Sequence, residues 1–224
     1  MFRSHAHRNI VMTEGPLFKN TLLFALPLFL SGLLQLFFNA ADTIVVGRFS
    51  GQEALAAVGS TGALISLLNG FFVGLSSGAT VLVSQFFGAS DRSGVKKAVH
   101  TGIGLALVLG LLITLLGLCF GPRILQMMKT PEDCLAGAVV YARIYFSGAI
   151  ASMVYNMGAG ILRAMGDSKR PMIFLVITCF ANIFLDILCV VVLKMGIAGA
   201  AVATVFSQII SAALVIWVLL RLPE

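Results

Sequence analysis

Long apolar runs separated by short polar punctuation dominate the chain. Between charged residues, six runs approach or exceed the roughly 20 residues that a helix needs to cross about 30 Å of hydrocarbon. They lie at 20–47, 54–88, 98–122, 134–162, 171–193 and 197–220. The second is long enough to span and still project beyond the bilayer. Together they are rich in Leu, Ala and Gly, whereas strands of a membrane barrel would alternate in polarity over segments of about 10 residues. The pattern predicts an all-α membrane protein, a bundle of six transmembrane helices. A basic, polar segment over 1–15 precedes the first run. That run is too long for a secretory signal and lacks a convincing small-residue cleavage site, so it is expected to stay, and 16–222 is expected to form one unit.

Composition narrows the class further. Hydrophobic residues make up 59% of the 224 and charged residues 11%, where a soluble domain carries about 25% charged. A water-soluble enzyme, a disordered chain and a nucleic-acid-binding domain are therefore excluded as working classes. The net charge of +6 reads as orientation. Ten of the fifteen Lys and Arg fall on the side of the N-terminus, in the clusters around Arg3, Arg92, Lys169 and Arg221. Four (Arg48, Arg123, Lys129 and Lys194) fall on the other side, and Arg143 lies within a span. Basic residues accumulate in the cytoplasm, so both termini are expected inside. Cys119, Cys134, Cys179 and Cys189 show no metal-ligand spacing or disulfide framework and are expected to be packing residues.

Glycine and proline carry architectural signals. Gly70, Gly74 and Gly78 recur at four-residue spacing, which puts three missing side chains on one helix face and predicts close packing against a neighbour. Pro27 removes a backbone hydrogen bond inside the first span and predicts either a static bend or a hinge.

Two of the nine acids, Asp42 and Asp186, fall inside spans. An ionised carboxylate at hydrocarbon depth costs at least a few kcal/mol, so an intramembrane acid points to a functional site. Counting back to the nearest outer basic residue, at about 1.5 Å per residue, puts Asp42, Asp186 and Thr204 roughly 9, 12 and 15 Å below the outer boundary. They can share one layer. Asn182 lies on the same helix face as Asp186, one turn deeper. Such a group disfavours double ionisation and so suits a bound proton, and its oxygens also suit a hard cation such as Na⁺. No other metal site is indicated. Arg143 is expected to snorkel or pair within the bundle. No nucleophile elbow, HExxH motif or Cys pair is present, so an enzyme is not expected, nor is a cofactor.

The segments ALPLFLSGLLQLFFNAADTIVVGRFSGQEALAAVG, GATVLVSQFFGASD, ILRAMGDSKRPM, ANIFLDILCVVV and GIAGAAVATVFSQ, in this order and spacing, carry a specific likeness. It resembles the N-terminal half of multidrug and toxic compound extrusion (MATE) transporters. The resemblance implies one six-helix lobe of a two-lobe, twelve-helix secondary antiporter of the plasma membrane. Such antiporters export cationic amphiphiles in exchange for H⁺ or Na⁺. It also implies a cation site at Asp42, Asn182, Asp186 and Thr204, a bend-forming proline at Pro27, and cavity residues at Gln35, Tyr141 and Asn156. The expected partners are cationic small molecules, the lipid bilayer, and a second lobe or a second copy of the chain. Two alternatives stand beside this reading: a non-transporting half-length fragment or membrane scaffold, and a lipid-linked oligosaccharide flippase of the same superfamily. The flippase would need basic residues along its cavity, and only Arg143 is at hand.

Overall fold

The computed structural model describes residues 17–221, so the basic segment 1–15 lies outside the described residues. The described chain is helical, with α1 Leu17–Phe49, α2 Gln52–Gly88, α3 Arg92–Met127, α4 Glu132–Ser147, α5 Ala149–Ala164, α6 Lys169–Asp186 and α7 Gly196–Leu220. Five helices, with α6 extended through Val192, are each long and apolar enough to cross a membrane. A sixth span forms when α4 and α5, bent by 49°, count as one. The bundle thus has the six spans that the hydropathy pattern predicts, one of them broken.

The packing surface of α3 is a stripe of small residues: Gly94, Ala98, Gly102, Ala106, Gly110, Thr114, Gly117 and Gly121 are all buried. Their spacing of three to four residues keeps them on one face, which receives the α4–α5 break. A side chain at Gly110 would stand 2.7 Å from the Ile150 Cα, and one at Gly117 would overlap the Phe146 ring. The break frees the Phe146 carbonyl, which the Thr114 hydroxyl satisfies at 2.9 Å. In hydrocarbon a free carbonyl has no water to turn to. Thr114→Val should therefore lower stability by about 1 kcal/mol, read as an earlier thermal transition in detergent.

Gly70, Gly74 and Gly78 behave differently from the sequence expectation. They are exposed, and a side chain at any of them would meet nothing within 4 Å. Four-residue spacing reports a smooth face but not which way that face points, and here it points away from the lobe. Close approaches at glycine lie instead on α3, at Gly148 between α4 and α5, at Gly158 and Gly160 of α5, and at Gly199 of α7.

α1 packs mainly along α6 at the edge of the bundle, and Pro27, Phe38, Asp42 and Val46 mark its buried side. The helix runs through Pro27 without a break, with the Ser31 hydroxyl donating to the Pro27 carbonyl at 2.7 Å. After Asp186, α6 widens into a π-helical segment, Ile187–Val192, and the Leu193 N–H reaches the Leu188 carbonyl at 2.9 Å. Such wide turns often occur at functional sites. Arg143 is exposed, as is Cys119, while Cys134, Cys179 and Cys189 are buried.

Candidate functional site

Three helices bring the buried acids together. Asp42 sits on the inner stripe of α1 between Phe38 and Val46, which are likewise buried. Asp186 closes the buried face of α6, four residues beyond Asn182 and eight beyond Thr178. Thr204 faces them from α7, whose buried stripe of Gly and Ala lets the helices approach closely. Asn182 and Asp186 are 0% exposed, Thr204 4% and Asp42 9%. Asp42, Asp186 and Thr204 thus lie together, as their depths counted from helix rise predict.

The Thr204 Oγ1 lies 3.2 Å from Asp42 Oδ2 and 3.0 Å from the Ala200 carbonyl. A hydroxyl has one proton, so it donates to one of these oxygens at a time. Asp186 and Asn182 are the other close neighbours of the Asp42 carboxyl, and among the described residues no basic side chain acts on either acid. Five buried polar atoms here lack a hydrogen-bond partner: Asp42 Oδ1, both Asp186 oxygens, and the Asn182 Oδ1 and Nδ2. Buried polar groups are nearly always paired, and one left unpaired costs about 1–3 kcal/mol. Four of these five are oxygens left without a donor, and the fifth is the Asn182 amide nitrogen. A proton or a hard monovalent cation answers that donor set, whereas an anion would face two carboxylates.

Tyr141 departs from the cavity role that the resemblance implies. It is buried against Thr204 and Asp42, and its ring stacks on Tyr145 with centroids 6.3 Å apart. It forms a wall of the acid cluster, because α4 packs on α7 and turns this face inward. Tyr145 extends the wall toward α2, its hydroxyl 3.5 Å from Asn69 Oδ1. Its place one turn after Tyr141 was the available signal for it. Gln35 is exposed on α1, away from the cluster. Asn156 is half-buried on α5, its amide donating to the Ser152 carbonyl at 2.8 Å.

Comparison with known proteins meets this geometry from another direction. The MatE family model matches residues 27–188. The Probable multidrug resistance protein YoeA of Bacillus subtilis (strain 168) is 37% identical over 205 residues, covering 89% of this chain and 44% of the relative. Two crystal structures of MATE, in the bent and the straight conformation, resemble the chain with TM-scores of 0.84 and 0.83. Both are 29% identical and cover 91% of this chain and 45% of theirs. The two similarities are equal in practice, so the fold match favours neither conformation. The chain spans about half the length of the curated relatives that it matches.

Proposed function

Since the chain belongs to the MatE family, whose members are transporters, we propose that it acts as one lobe of an antiporter exporting cationic amphiphilic compounds in exchange for H⁺ or Na⁺. It is a multi-pass protein of the plasma membrane. The coupling cation binds at Asp42, Asn182, Asp186 and Thr204. The observation that carries this reading is the set of unpartnered buried oxygens around two acids with no basic counterpart.

The site couples because it joins an edge helix to the core. Asp42 belongs to α1, while its partners belong to α6 and α7, so a cation between the acids holds α1 against the bundle. Removing it leaves two like charges in a dry layer, which favours separation of α1 from α6. Pro27, where one backbone bond is already missing, is the place for α1 to bend in response. The ion drives this change only to the extent that it binds one conformation better than the other. The cationic compound competes for the other conformation, in a cavity completed by a second lobe or a second copy.

Dye-loaded proteoliposomes carrying the chain, with pH and sodium gradients imposed separately, test this. Efflux of a cationic dye on one of the two gradients is expected. Efflux indifferent to both gradients would overturn the antiport reading.

A further inference from the structure

Beneath the acid cluster, α6 and α7 extend the polar face of the cation site inward as a column through Thr178, Ser207 and Ser211, which cation binding itself leaves unused. Four-residue steps back from Asp186 reach Asn182 and Thr178, and steps of three and four forward from Thr204 reach Ser207 and Ser211. The two helices run antiparallel, so both series descend toward the cytoplasmic side in three layers about 6 Å apart. The innermost layer is joined directly, with Thr178 Oγ1 and Ser211 Oγ 2.6 Å apart, while the Thr178 hydroxyl also reaches the Phe174 carbonyl and the Ser207 hydroxyl the Thr204 carbonyl, each at 2.7 Å. All six residues are between 0% and 4% exposed. In the middle layer both amide atoms of Asn182 are buried without a partner. Helix packing alone has no need of this column, because small apolar residues would pack as closely without burying polar atoms.

The next layer inward changes chemistry. Phe174 and Val215 continue the same two series and are buried in one apolar cluster with Val218. Gly158 of α5 leaves room for Val215, since a side chain there would overlap it. The polar column therefore gives way to buried apolar side chains about 18 Å inward of Asp186 along the helix.

We propose that this α6/α7 column is the inner exit of the coupling cation, with the Asn182/Ser207 and Thr178/Ser211 layers as its steps and Phe174/Val215 as its gate. The inference rests on the antiport reading above. Amide and hydroxyl oxygens replace part of a hydration shell, and a hydroxyl pair in which either member can donate passes a proton as readily. An apolar constriction shuts such a path by excluding water.

Passive ²²Na⁺ uptake, and acidification reported by trapped pyranine, in proteoliposomes of the 224-residue chain test the route without any drug present. Phe174→Ser is expected to raise the leak of the coupling ion by on the order of tenfold. Adding Thr178→Val with Ser211→Ala, or adding Asp186→Asn, should return the leak to near the wild-type level. A leak indifferent to the Thr178/Ser211 pair, or to Asp186, would overturn the column as the route. A well-folded Phe174→Ser chain that stays tight would overturn the gate, and Val215→Ser supplies the same test should the first variant fail to fold. Failure of the antiport reading is separately visible, as a wild-type chain whose carboxyl infrared bands respond to neither sodium nor pH.

Discussion

Asp186→Asn will lower cation affinity by about ten- to a hundredfold, while the lobe folds as well as before. Asn keeps the size of Asp and one carbonyl oxygen, so packing at this fully buried position is undisturbed. It removes the charge, and a lost charged ligand is worth about 1.5–3 kcal/mol, the upper end of which is more than a hundredfold in binding. The substitution also relieves a buried carboxylate, a change that is neutral or favourable for insertion. Sodium titration followed by infrared or calorimetry, beside thermal unfolding of the same sample, separates the two effects. Ion-driven dye efflux should vanish with the affinity. Normal affinity in a folded Asp186→Asn chain would exclude Asp186 from the site.

Gly110→Leu will unfold the lobe or shift its thermal transition sharply. Leucine is the better helix former by about 1 kcal/mol, which taken alone favours the substitution. Against that stands the Ile150 backbone, 2.7 Å from where the new Cβ would sit. A backbone obstacle cannot rotate away as a side chain does, and overpacking of this kind costs about 1–3 kcal/mol or more. The clash wins. Gly74→Leu is the control, because open space surrounds Gly74 and only the propensity gain applies. Its thermal transition should stay level or rise slightly. Equal destabilisation by both variants would contradict the assignment of the packing face to α3.

These two outcomes divide along what a sequence can disclose. Asp42, Asn182, Asp186 and Thr204 were legible because hydrocarbon makes a buried acid expensive and helix rise converts residue counts into depth. The six spans were legible for the same reason, since backbone in lipid has to be helical. The break between α4 and α5 was not. It carries no proline, and the residue that makes it tolerable, Thr114, is 32 positions from the carbonyl it serves. Nor did the run Ile-Leu-Cys-Val-Val-Val, which forms the π-helical segment after Asp186, differ in pattern from an ordinary apolar helix. The glycines of α2 and α3 share a similar spacing, and only the neighbours' positions tell which set packs within the lobe. Tyr141 was misplaced on the same ground, because the inward turn of α4 is set by its partner α7.

The most direct test of the shared site is the sodium-induced infrared difference spectrum of the carboxyl groups, recorded for the wild-type chain, Asp42→Asn and Asp186→Asn. If one cation is held jointly by both acids, either substitution removes the whole sodium-induced carboxyl signal. If each substitution removes only its own share and leaves the other acid responding as before, the two carboxyls act separately and the single coupling site is refuted.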